Sequence, residues 1–293
     1  MLPPQNDHQE KICVVNHFRS AAVAGHSTAQ CAFGLLYSFG FGNLIDKDSL
    51  TAISWFRKAT KGSNPHPRSH WLLAKSLYEE WASKRSNKSY GDFNRSDDDG
   101  FYRLEDITNH LKVAIGNNIP EAMHLMALMY EYELISLRRS GDAVLYAGER
   151  SKETFYKQNM AKAAELYLHA ARLGFAESNY HLGLMHAYGR GILQNFAAAM
   201  ECFRRGAIQF HHPPSMRYLA ILAADGNSFA YGAPRYGLAV FWFDQCRKTN
   251  GVDKITGALC LQERDKLLHL MNETLGKEAA YELVLRESML YQA

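Results

Sequence analysis

Apolar residues recur at helical spacing along most of the chain, in two alternating templates. The first places a small residue ahead of a bulky pair at +3 and +4, with small residues again at +7 and +8, as in Ala163, Leu166, Tyr167, Ala170 and Ala171. That spacing makes one face of an amphipathic helix. It returns as Ala52, Trp55, Phe56, Ala59; as Ala199, Cys202, Phe203, Gly206, Ala207; and as Ala239, Trp242, Phe243, Cys246. Looser copies are Val14, His17, Phe18, Ala21, Ala22 and Ile107, His110, Leu111, Ala114, Ile115. Six helices are predicted, and Gly25, Gly62, Asn118, Gly174 and Asn250 follow five of them as left-handed C-terminal caps.

The second template precedes most copies of the first. Its clearest forms run from Phe33 to Gly42 and from Leu182 to Gly191, each with a glycine inside the helix, Gly34 or Gly183. A glycine there costs about 1 kcal/mol relative to Ala, so it needs a compensating contact, and close approach of a neighbouring helix supplies one. Ala74, Ala127 and Ala220 stand at the equivalent place. The Gly-x-Gly that follows reads as a helix stop and not a phosphate loop, because no strand precedes it.

Equivalent positions of the first template, Val14, Ala52, Ile107, Ala163, Ala199 and Ala239, are separated by 38, 55, 56, 36 and 40 residues. The short intervals define a two-helix unit near 38 residues; the long ones each hold an insertion. One insertion is Ser83 to Gly100, polar and aperiodic. The other covers 136 to 158, where Gly141 and Gly148 break the helical pattern, although Val144, Leu145, Tyr146 and Phe155 give it apolar surface. Both are expected to be exposed loops. The pattern stops after Asn250, and two further amphipathic helices, broken near Gly276, are expected to cap the last unit. The predicted fold is all-α: an α-solenoid of about five helix-turn-helix repeats over residues 9–250, with an N-terminal half-repeat and capping helices over 251–293.

Ala29-Gln30, Phe33-Gly34, Tyr37, Gly40, Gly42, Ala52, Trp55-Phe56 and Ala59 resemble the Sel-1-like repeat, a longer relative of the tetratricopeptide repeat, and Ala176 to Ala207 is similar to it as well. The departures are the two insertions, Ala for Gly in three first helices, and His186 where the family prefers Tyr. The resemblance implies a right-handed superhelical scaffold that binds partner proteins, often as an adaptor. In related solenoids the first helix of each unit lines the concave wall. That places Cys31, Trp71, Tyr78, His124, Tyr180 and Arg217 there, and Trp, Tyr and Arg dominate interface energetics.

Composition narrows the remaining chemistry. With 33 basic against 30 acidic residues and a net charge of +3, the surface is mixed, and nucleic acid is not an expected partner. Five cysteines, scattered and odd in number, predict reduced thiols, with Cys202 and Cys246 buried and inert at core positions. The first ten residues show no secretory leader, and no apolar run approaches the roughly 20 residues of a membrane span. A cytoplasmic protein is expected, with an endoplasmic-reticulum or organelle-associated one as the alternative. No His-Glu-x-x-His, Gly-x-Ser-x-Gly, Walker loop or paired Cys-x-x-Cys occurs, so neither catalysis nor a cofactor is predicted. His211-His212-Pro213-Pro214 reads as a turn between helices, not a metal site. Around Gly100 a calcium loop fails because Arg95 falls at its first ligand position. The expected function is a non-catalytic protein-interaction scaffold. Rival readings are an adaptor of an endoplasmic-reticulum ubiquitin ligase complex, a subunit of a ribonucleoprotein or organellar assembly, and an enzyme.

Overall fold

A computed structural model describes residues 5–61, 64–86, 98–132, 149–225, 233–249 and 251–289. Among these the chain forms α-helices, and no β-strand beyond one isolated bridge between Phe41 and Ile45. Two compact units, Met1–Met126 and Ala127–Ala293, divide inside one helix. The first contains α1 (Gln5–Val23), α2 (Ser27–Phe39), α3 (Ser49–Lys61), α4 (Ser69–Ser86), α5 (Asp98–Gly116) and the start of α6 (Pro120–Glu131). The second holds the rest of α6, then α7 (Glu149–Arg172), α8 (Ala176–Tyr188), α9 (Phe196–Phe210), α10 (Pro213–Asp225), α11 (Tyr236–Lys248), α12 (Lys254–Leu275) and α13 (Lys277–Ser288).

Within each unit helices pack chiefly on their neighbours in sequence: α1 to α5 successively in the first, α7 to α12 successively in the second, with α13 laid on α11 and α12. That is the one-dimensional packing of a repeat array, in which each helix pair buries its apolar face only against the next. The glycines inside first helices now have their reason. A Cβ on Gly34 would stand 2.6 Å from Cε1 of Phe56, and one on Gly183 would stand 2.6 Å from Cε1 of Phe203. The close neighbour is therefore the aromatic ring at +4 of the following second helix, lying flush on first-helix backbone. Ala74, Ala127 and Ala220 are fully buried at the equivalent positions.

Helix ends follow the predicted chemistry where they are described. Gly25, Asn118 and Gly174 all have positive φ, and the caps expected at Gly62 and Asn250 lie outside the described residues. The Gly-x-Gly segments turn first helices into second ones. In the α2–α3 turn the Phe41 N–H donates to the Ile45 carbonyl at 2.8 Å; in the α8–α9 turn the Asn195 N–H donates to the His186 carbonyl at 2.9 Å. Asn195 then caps α9 by accepting from the Ala198 N–H at 3.0 Å.

The insertions differ from expectation at their edges. α4 runs on to Ser86 and α5 starts at Asp98, leaving only 87–97 outside the described residues. α7 begins at Glu149, so the part of 136–158 from residue 149 onward is helix, with 133–148 outside the described residues. No Gly or Pro interrupts the chain between Glu149 and Arg172, and Asn159 and Met160 are already buried, so packing extends the helix backward from its template.

At the far end α12 and α13 close α11, separated at Gly276. Val240 packs with Met271 and Ala280, and the Leu238 N–H donates to Glu287 Oε2 at 2.7 Å, so α13 satisfies an amide in the first turn of α11. The cysteines correct the expectation of reduced thiols throughout. Cys246 and Cys260, both fully buried with Cα atoms 6.5 Å apart, form a disulfide between α11 and α12. Two core positions one helix apart in an antiparallel pair bring their sulfurs together, a proximity that spacing in sequence does not reveal. Cys202 is half-buried, and burial pushes its thiol up to about 11.

Candidate interaction surface

The sequence-derived wall residues divide between the two units. In the first, Trp71 and Tyr78 on α4 and His124 on α6 are all half-buried. The Tyr78 ring stacks on Trp81 with centroids 5.9 Å apart, adding a second aromatic one turn along the helix. Cys31 does not belong with them. It is buried in the core with Ala52, Phe56 and Leu73, because position 31 of α2 faces α3 and α4.

Between α4 and α5 the first unit holds an imidazole pair that sequence reading passed over. His70 Nδ1 and His110 Nδ1 are 2.8 Å apart, so one ring donates and the other accepts. Asp106 Oδ1 lies 3.5 Å from His110 Nε2, with Arg57 of α3 3.9 Å beyond it, and this carboxylate favours the proton on Nε2. His110 Nδ1 is then the acceptor and His70 the donor. Burial, then the charge of the partner ring, holds His70 below the ordinary 6.5. For His110 burial lowers the value, Asp106 opposes and Arg57 adds to the lowering. With folded-state values below unfolded ones, the stabilisation is complete above about pH 6.5 and is lost as pH falls through the folded values. Between pH 7 and 5 the urea midpoint of the chain is expected to drop by an amount equivalent to about 1 kcal/mol, the net worth of one hydrogen bond. His110→Gln should flatten that part of the pH profile, and an unchanged slope would refute the account.

The second unit assembles the denser cluster. Tyr180 of α8 touches Phe203 of α9, His212 and Tyr218 of α10, with centroids 6.1, 5.6 and 5.5 Å away, and Tyr218 stacks on Phe203 at 5.3 Å. Burial, then the Tyr218 phenol, raises Tyr180 to about 12, and Tyr188 is raised by the same two causes, so these phenols stay neutral hydrogen-bonding groups. Arg217 sits 5.9 Å from the centroid of the Tyr218 ring, and its Nε is buried with no hydrogen-bond partner. Arg190 covers the exposed Tyr188 ring at 5.3 Å and reaches to 3.8 Å from Glu131 Oε1. Glu131, buried at the end of α6, accepts from the Tyr167 hydroxyl at 2.7 Å and stands 3.2 Å from His181 Nδ1. Burial works to raise its pKa, but hydrogen bonds from His181 and Tyr167 and the charges of His181 and Arg190 outweigh it and hold the carboxyl below its ordinary value.

Of the predicted residues, the structure thus brings Tyr180 and Arg217 to one cluster, and it adds Tyr188, Tyr218 and Arg190, which sequence reasoning missed. Tyr218 was legible as the neighbour of Arg217 just ahead of the small residue Ala220. No described group of three or more His, Cys, Asp or Glu is placed to hold a metal ion. No described helix is long and apolar enough to cross a membrane.

Paired helices, small residues under aromatic rings and glycine stops define a helical-repeat protein of the α-solenoid class. The Sel1 repeat profile matches residues 27–64, 120–143, 135–175 and 176–209. Those segments of the chain are Sel1-like repeats, and proteins built from such repeats generally act as protein-interaction scaffolds. The fold of the chain is similar to that of a Sel1 repeat protein from Oxalobacter formigenes, with a TM-score of 0.57 at 15% identity over 95% of this chain and 98% of that one. Matches with lower TM-scores include a protective antigen of uropathogenic Escherichia coli with the same repeat fold (0.42, 15% identity, 94% of this chain and 58% of that one). An immunity protein from Pseudomonas aeruginosa matches at 0.38, with 15% identity over 91% of this chain and 83% of that one. Among proteins of curated function none matches the sequence.

Proposed function

We propose that this chain is a non-catalytic scaffold that holds partner proteins through side chains on the first helix of each unit: Trp71, Tyr78 and His124 in the first unit, Tyr180 and Arg217 in the second. The observation that carries the reading is the phenol and guanidinium cluster of Tyr180, Tyr188, Tyr218, Arg190 and Arg217. Its members are the residue types that anchor interfaces, held rigid by the core at one end. Tyr188 is 57% exposed beside them and offers a partner an aromatic edge. Joint replacement of Trp71, Tyr78 and Tyr180 by Ala should abolish recovery of the partner in a pull-down from the native source, with far-UV circular dichroism unchanged. Because Tyr180 also packs on Phe203, Tyr188→Ala with Arg217→Glu serves as a second variant. Full recovery by both would overturn the proposal.

A cytoplasmic setting goes with this reading. The Cys246–Cys260 disulfide favours the alternative, an oxidising compartment such as the endoplasmic reticulum. Counting alkylatable thiols after denaturing the native protein separates the two. A reduced chain shows all five and an oxidised one shows the three at Cys13, Cys31 and Cys202.

A further inference from the structure

Among the described residues of the second unit the half-buried arginines are Arg217, Arg235 and Arg264. Two of them have an acid in hand: Arg235 Nε lies 3.4 Å from Glu287 Oε1, and Arg264 Nη1 lies 3.1 Å from Asp244 Oδ1. Arg217 has none. Among the described residues it makes no hydrogen bond or ion pair, and its Nε is buried without an acceptor. The acids of its surroundings are committed or remote. Glu131 takes the Tyr167 hydroxyl, His181 and Arg190, Glu177 of α8 acts on His212, and Asp225 stands at the other end of α10. The Tyr218 ring, 5.9 Å from the guanidinium carbon, is at the outer reach of a cation–π contact, about 6 Å, and satisfies no N–H donor. Taking a guanidinium partly out of water without an acceptor is unfavourable, and its fork of donors matches a carboxylate.

We propose that Arg217 is the seat for a carboxylate of the partner protein, received by the guanidinium beside the Tyr218 and Tyr188 phenols. The surroundings suit an anion. Tyr180 and Tyr188 stay protonated at neutral pH, so their hydroxyls donate to an oxygen anion and do not repel it. Arg190, over the Tyr188 ring, adds a second positive charge, against the one carboxylate of Glu131 that it shares with Tyr167 and His181. The exposed face of Tyr188 offers apolar contact next to these charges. The partner segment is therefore one in which an Asp, a Glu or a chain-terminal carboxylate adjoins an apolar residue. The seat exists only if this wall binds proteins, as proposed above.

The test selects binders to the full chain from two random peptide libraries, one with amidated and one with free C-termini. Bound sequences should share an Asp or Glu beside an apolar residue, or else require the free chain end, which assigns the carboxylate to a side chain or to a terminus. Converting that acid to its amide in a selected peptide should weaken binding by about tenfold, and Arg217→Gln in the protein by a similar factor, with no further loss when the two are combined. A second reading needs no protein variant: the acidic peptides should bind more weakly as ionic strength rises, and their amide forms should not. No binder from either library, binders without a common carboxylate, binding indifferent to salt, or losses that add in the combined change would each overturn the proposal. Binders that lack a carboxylate yet are lost on Tyr188→Ala overturn it alone and leave the wall in place, whereas a wall that holds no partner in the pull-down removes both.

Discussion

Phe203→Ala is expected to destabilise the second unit by about 3 to 5 kcal/mol, the range for emptying a fully packed aromatic site. The ring is completely buried and stands over Gly183 on one side and Tyr218 on the other, with Tyr180 against its edge. Its loss would leave backbone of α8 facing a void too apolar to fill with water. The reciprocal position sharpens the test. In the native chain a methyl at Gly183 enters the ring at 2.6 Å, and the overpacking offsets the roughly 1 kcal/mol that Ala gains in a helix. With Phe203 already cut to Ala, the same methyl meets open space, and Gly183→Ala should then stabilise by about 1 kcal/mol. A double-mutant cycle by urea denaturation should therefore return a coupling energy of about 1 to 3 kcal/mol. Additive effects would mean that Gly183 is there for some reason other than the ring.

That glycine shows how far the sequence carries. A residue that costs helical stability, repeated at one place in successive helices, had to be compensated by a close neighbour, and the template named the neighbouring helix. The structure identifies that neighbour as Phe56 over Gly34 and Phe203 over Gly183, the +4 residues of the following helices. The polar contacts were harder to see. His70 and His110 are 40 residues apart and Glu131 and Tyr167 36, but each pair joins the two helices of one repeat across an insertion, so these separations reflect the insertions and not the period. Of the three pairs, Ser27 and Asn64, 37 apart, sit one period from each other. Two other features carry no such signal. Cys246 and Cys260 are only 14 apart and belong to a repeat helix and its cap, where the period has ended. Cys31 lies in the core because α2 is packed on α1 as well as on α3 and Cys31 joins the cluster that α3 and α4 build, so a template drawn from one side mistakes covered surface for an open wall.

Gly191 is where a single methyl group should do most damage. It lies in the turn from α8 to α9 with φ +70°, and a Cβ there would lie 2.5 Å from Met160 Cβ and 2.6 Å from the Ala161 nitrogen, besides meeting the Met160 carbonyl carbon. These are backbone and near-backbone atoms of α7, which cannot swing aside as the tip of a side chain would. Left-handed φ costs Ala about 1 to 2 kcal/mol, and the clash adds the 1 to 3 kcal/mol typical of overpacking. Gly191→Ala should therefore lower stability by about 2 to 5 kcal/mol. Two glycines separate the contributions. Gly25, at φ +95°, has nothing within 4 Å of a built Cβ, and Gly189, at φ +65°, meets only Gln194, at 3.3 Å or more. Gly25→Ala and Gly189→Ala should each cost no more than about 2 kcal/mol, because only the dihedral is strained. If urea midpoints fall equally for all three variants, the α8–α9 turn does not rest on α7 at Gly191. A larger fall for Gly191→Ala alone fixes that contact as the reason why the second Gly of the Gly-x-Gly stop cannot be replaced in this unit.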